Sequence, residues 1–75
     1  MTLDEMPRAS RVVVTHLDAK GSERRRLMDL GVLPGAQVTV EGSSPLGDPR
    51  AYRILGAVFA LRRHQARGIH VTSKE

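Results

Sequence analysis

Few side chains in this sequence could carry out covalent or metal chemistry, and none stands in a pattern that would. There is no cysteine, so neither a thiolate nucleophile nor a thiolate metal ligand exists. The serines Ser10, Ser22, Ser43, Ser44 and Ser73 lie outside any Gly-x-Ser-x-Gly turn, which would lift a nucleophile above a sheet. The histidines His16, His64 and His70 lack the i, i+4 spacing that sets two imidazoles on one helix face, so no metal ligand set is read from them. Gly31-Val32-Leu33-Pro34-Gly35 has its glycines, yet no Lys-Ser or Lys-Thr follows and no helix opens after it, so the Walker pattern is absent. The expectation is a chain with no catalytic residue, no cofactor and no metal site, and therefore not an enzyme.

Charge is the more informative signal. Lys and Arg number 12 against 8 Asp and Glu, a formal net charge of +4, and ten of the 12 are arginine. Such a balance favours an anionic partner (nucleic acid, a membrane surface or an acidic protein face) or serves solubility alone. Arg24, Arg25 and Arg26 concentrate it in the first turns of a short helix. Cations there oppose the helix dipole, at a cost of about 0.3–1 kcal/mol each when exposed. The cluster reads either as a solvated face that tolerates this cost or as a cationic contact for an acidic partner surface. Small barrels that bind single strands stack bases on a row of aromatic rings. Only Tyr52 and Phe59 are present, and both suit a core better than a stacking platform. Nucleic acid is accordingly a weak candidate partner, reduced to phosphate contacts through arginine.

The loop Ser43-Ser44-Pro45-Leu46-Gly47-Asp48-Pro49 is the most distinctive stretch. Pro45 and Pro49 restrict φ, Gly47 permits positive φ, and Asp48, preceding proline, should be extended. The loop should therefore be stiff, with little entropy left to lose on binding. Leu46 at its tip either folds back over the core or is an apolar knob offered to a partner.

The elements that position these residues can be read from periodicity. Residues 3–6 form at most one helical turn before Pro7. The β-branched run Arg11–Leu17 predicts a strand, and 18–21 a turn. Ser22 is a candidate N-cap for a helix over 23–30, with Leu27 and Leu30 on one face. Gly31 supplies a left-handed C-terminal residue, and Pro34-Gly35 fit the centre of a type II turn. Residues 36–41 alternate, pointing Ala36, Val38 and Val40 inward. A strand over 50–55 pairs Tyr52 and Ile54 on one face, and Gly56 breaks it. Residues 57–61 predict another strand, at least half-buried; 62–66 a helical turn; and 69–72 a last strand with Ile69 and Val71 inward.

With 75 residues, of which 40% are apolar, the chain makes one small domain. Seven of the apolar residues are alanine, so the core is near the lower limit for an unaided fold. The longest apolar run, Ala57–Leu61, is far short of the roughly 20 residues of a spanning helix. Membrane insertion is not expected, and the acidic N-terminus has no signal-peptide pattern, so a cytoplasmic location is the expectation. Five short strands and one helix suggest a small, partly open barrel, because closure removes exposed edges.

Three segments carry a resemblance to a known family. Asp29-Leu30-Gly31-Val32-Leu33-Pro34-Gly35, then Pro45-Leu46-Gly47-Asp48-Pro49, then Leu61-Arg62-Arg63 at this spacing resemble the ferrous iron transport protein A family, FeoA. Arg26-Leu27 before the Leu-Gly and the final Ile69-His70-Val71 are also similar to it. Members often have Pro-Gly before the first strand, where this chain has Pro7-Arg8. The resemblance spans about residues 3–72. It implies a mostly β fold, an SH3-like small β-barrel of about five strands with one short α-helix, as a single domain over 1–75 with an ordered core over 3–72. It also implies a cytoplasmic, non-catalytic accessory protein of ferrous iron uptake, acting on FeoB, the membrane transporter with a GTPase domain. On that reading Arg24, Arg25 and Arg26 form a cationic rim, and Leu33, Pro45 and Leu46 belong to the apolar part of a docking surface. Self-association into a homo-oligomer would add stability to a marginal core. The alternative is a basic small-barrel nucleic-acid-binding or metal-dependent regulatory module. A similar domain ends DtxR-type repressors; the 75 residues hold no helix-turn-helix ahead of the barrel, so a free-standing repressor is not the expectation.

Overall fold

Five antiparallel strands form one sheet in the computed structural model, which describes residues 1–43 and 47–74. In chain order the elements are a 3₁₀ turn Leu3–Glu5, β1 Arg11–Leu17, α1 Gly21–Asp29, β2 Gln37–Ser43, β3 Arg50–Ile54, β4 Ala57–Leu61, α2 Arg63–Ala66 and β5 Ile69–Ser73. The sheet order is β4-β3-β2-β1-β5. All five strands bury residues in one cluster, together with Leu3, Leu27 and Ala66 from the helical turns. Two short helices cannot cover a flat sheet of this width, so the sheet must curl around its own inner face.

Side-chain parity sets which face is inner. Val12 and Val14, Val38 and Val40, Tyr52 and Ile54, and Ile69 and Val71 are buried at alternate positions of their strands. Each side chain so buried contributes about 1.5–3 kcal/mol. Two bulges interrupt the ladders, one between Val14 and His16 in β1 and one between Val40 and Gly42 in β2.

The end of α1 is a Schellman motif. The Val32 N–H donates to the Leu27 carbonyl at 3.0 Å and the Gly31 N–H to Met28 at 3.0 Å, with Gly31 at φ +99°. Leu27 and Val32, which flank the motif, are both fully buried. The chain then turns through Pro34-Gly35. Gly35 has φ +92°, and the Ala36 N–H donates to the Leu33 carbonyl at 2.9 Å. The Gly35 N–H also reaches the Val14 carbonyl, pinning this turn to β1.

Three local expectations need correction. The helix begins at Gly21, not after Ser22: its first turn closes on the Lys20 carbonyl, Lys20 is the N-cap, and no side chain caps it. Leu55 is not in a strand. It and Gly56 form a two-residue hairpin loop between paired Ile54 and Ala57, both with positive φ, which is the type I′ arrangement. Finally, β4 is mostly exposed, with only Leu61 buried and Phe59 packed against the core. It is an edge strand, covered by its neighbour on one side only. The opposite edge, β5, is capped by the N-terminus through a Thr2–His70 bridge and a Val71 N–H to Met1 carbonyl bond.

Candidate partner-binding face

The arginine cluster, the Leu33 turn and the hairpin tip converge around α1. Three consecutive helical residues project about 100° apart, so Arg24, Arg25 and Arg26 fan out over the surface of α1. Arg24 folds back, its Nη1 donating to the Leu17 carbonyl at 3.2 Å. Arg25 lines a groove along the helix with Gly21, Arg24, Met28 and Asp29. All three arginines are exposed, and among the described residues none forms an ion pair. Their charge is therefore available to a partner.

Leu33 is 41% exposed in the turn after the Schellman motif. Its position follows from its neighbours: Val32 is buried, so the next side chain is turned outward as the chain enters Pro34-Gly35. Pro45 and Leu46, assigned to the same surface from the sequence, lie outside the described residues. The flanking end of their loop is anchored, because the Asp48 carboxylate accepts the Arg63 N–H at 2.9 Å at the start of α2. The Asp48–Pro49 peptide is cis.

Leu55 is the residue that sequence reasoning missed. It is 78% exposed and has φ +52°, a left-handed conformation that costs a bulky L-residue about 1–2 kcal/mol. Its side chain lies against Gly31: a Cβ built on Gly31 would sit 2.6 Å from Leu55 Cδ1. Leu55 thus joins Met28 and Leu33 as exposed apolar groups around the C-terminal end of α1. The available signal was Leu55-Gly56 between two strands, since a two-residue loop needs positive φ at both positions. Strain at an exposed apolar residue directs attention to that position as a functional one.

The aromatic residues stand elsewhere. Tyr52 is fully buried, with the Arg50 guanidinium 5.8 Å from its ring centroid, and Phe59 packs against the core. Tyr52 therefore presents no free ring face for stacking bases, and Phe59 is partly buried. Burial raises the Tyr52 pKa above its ordinary value, with the Arg50 charge opposing that rise.

Comparison with known proteins places this arrangement. The model of the FeoA domain family matches residues 1–73. The chain belongs to the FeoA domain family. This FeoA-domain chain is 34% identical over 71 residues to the Fe(2+) transport protein A/Fe(2+) transporter FeoB fusion protein of Porphyromonas gingivalis. The match covers 95% of this chain and 8% of that longer protein. The FeoA protein from Chlorobium tepidum is 40% identical in sequence, with a TM-score of 0.93 over 100% of this chain and 71% of that one. FeoA from Stenotrophomonas maltophilia, solved in complex with zinc and described as a prokaryotic SH3 domain protein, is 32% identical. It superposes with a TM-score of 0.85 over 96% of this chain and 89% of that one. The fold is SH3-like and mostly β, as the family resemblance implied, and the family is linked to ferrous iron transport. Among the described residues no helix is long and apolar enough to cross a membrane.

Proposed function

We propose that this FeoA-domain chain is a cytoplasmic, non-catalytic accessory protein of ferrous iron uptake that docks on the cytosolic part of a FeoB-type transporter. The observation that carries this reading is the fusion in Porphyromonas gingivalis, where a region 34% identical to this chain and the FeoB transporter are one polypeptide. Fusion holds two modules at high effective concentration, which favours an interaction that separate chains must make by affinity.

The docking face is the end of α1 with the turn at 32–35 and the β3–β4 hairpin tip. Leu33 and Leu55 are the anchors, because desolvated apolar groups carry most interface affinity. Arg25 and Arg26 form the rim, which tunes encounter rate and salt dependence more than affinity. Pro45 and Leu46 belong to the same surface on the sequence reading.

The test is calorimetry between this protein and the cytosolic domain of its cognate transporter. Saturable binding that weakens with Leu33→Ala and Leu55→Ala, and whose salt dependence changes with Arg25→Glu, is the expected result. No binding at micromolar concentrations by folded protein overturns the reading. Binding that instead follows added nucleic acid and falls steeply with salt transfers the surface to the alternative.

A further inference from the structure

We propose that His16, Asp18 and His70 form a binding site for one divalent transition-metal ion between β1 and β5. The proposal does not rest on transporter docking. It starts from strand register: His16 and His70 are partners across the antiparallel β1–β5 ladder. Their rings stack with centroids 4.1 Å apart and planes 10° apart.

A bulge makes this pair. Val14 pairs with Val71 and His16 with His70, which leaves Thr15 as the extra residue of β1. Strict alternation after the buried Val12 and Val14 would send residue 16 into the core and residue 17 outward. The bulge reverses that parity, so Leu17 is buried and His16 is exposed. Asp18 follows directly, and its backbone N–H donates to the Gly68 carbonyl at 2.8 Å, holding it beside the start of β5. Its carboxylate hydrogen-bonds His70 Nε2 and lies 3.7 Å from His16 Nε2.

The donor atoms of the three residues all lie within 4.8 Å of one another. A tetrahedral ion with bonds of about 2.0–2.2 Å needs its donors about 3.4 Å apart. The remaining closure is small. His16 and Asp18 have side chains 60% and 61% exposed, so they can rotate without repacking, while the ladder holds their backbones. The Thr15 hydroxyl lies 3.3 Å from His16 Nδ1, which leaves Nε2 for the ion.

Two imidazoles and one carboxylate suit Zn²⁺ or Fe²⁺ and leave positions open for water or a partner's group; Mg²⁺ and Ca²⁺ prefer all-oxygen sites. The ion would tie Asp18 to His70, 52 residues away in sequence, and so stabilise the ladder on binding.

The experiment is calorimetric titration of the tag-free protein with Zn²⁺ alone near neutral pH, with thermal melts in parallel. One ion per chain and a rise in Tm are expected. Both are lost in a His16→Ala, His70→Ala double variant and kept in His64→Ala, whose imidazole stands outside the cluster. In the unaltered protein, Zn²⁺ must shift the NMR ring-proton resonances of His16 and His70 and leave those of His64 in place, a readout that needs no variant to fold. Absence of Zn²⁺ binding, binding that survives the double variant, or equal binding of Mg²⁺ overturns the site. Any of these results leaves the transporter-binding measurement unaffected, so the two readings fail separately.

Discussion

Leu55, at the tip of the β3–β4 hairpin, lies directly on Gly31, the left-handed residue that ends α1. The contact joins the two elements whose exposed apolar groups make up the proposed docking face. It requires unusual backbone on both sides, φ +99° at Gly31 and φ +52° at Leu55. Glycine meets the first requirement at no steric cost, and leucine meets the second under strain.

Gly31→Ala is therefore expected to destabilise the protein by about 1–2 kcal/mol, the cost of an L-residue in left-handed conformation. The 2.6 Å approach to Leu55 Cδ1 adds less, because that exposed side chain can swing away. Urea denaturation measures the loss. An unchanged midpoint would show that the Schellman motif at Val32 does not hold α1 in place.

Leu55→Asn separates stability from binding. Asparagine before glycine suits a type I′ loop, so the variant should gain up to about 1 kcal/mol. It also removes an apolar anchor, so affinity for the transporter domain should fall. A variant that is both more stable and equally tight would remove Leu55 from the interface.

The three arginines should behave differently from one another. Arg24→Ala deletes the bond to the Leu17 carbonyl and should cost about 0.5–1 kcal/mol, at the low end because the side chain is exposed. Arg25→Ala and Arg26→Ala should stay within about 0.5 kcal/mol of the parent. Thermal melts of the three single variants check this, and equal losses in all three would refute the distinction.

Tyr52 gives a pH test, since it is the only tyrosine. Burial raises its folded pKa, whereas the unfolded phenol ionises near its ordinary value of about 10. Below that value both states hold the proton and the contribution is intact. As pH climbs past it, the unfolded chain releases the proton first, so stability falls until the folded phenol also ionises. Tyrosinate absorbance should rise late in the folded protein. The urea midpoint should drop in the alkaline range by more than in Tyr52→Phe, and equal drops would contradict the linkage.

Much of the molecule was legible in its sequence wherever local chemistry dictates conformation. Gly31 and Pro34-Gly35 announce their turns because only certain residues reach those dihedrals cheaply. The period of two turned Ala36, Val38 and Val40, and Ile69 and Val71, inward and set Tyr52 and Ile54 on one face; all are buried except Ala36, which is half-buried against the core. The segments Asp29–Gly35, Pro45–Pro49 and Leu61–Arg63 carried the resemblance to the family whose model matches residues 1–73.

Tertiary structure decided what depends on distant pairing. The apolar run in β4 read as at least half-buried, yet its place at the edge of the sheet leaves Val58 exposed. Leu55 looked like the end of a strand until the Ile54–Ala57 pair made it a loop. His16 and His70 had no spacing that linked them. Their meeting depends on the register of two strands far apart in sequence and on a bulge at Thr15, neither of which leaves a periodic trace. Sequence alone determines the face a side chain takes within its own strand. Which strand lies alongside, and where the ladder slips by a residue, follows only from closing the whole sheet around one core.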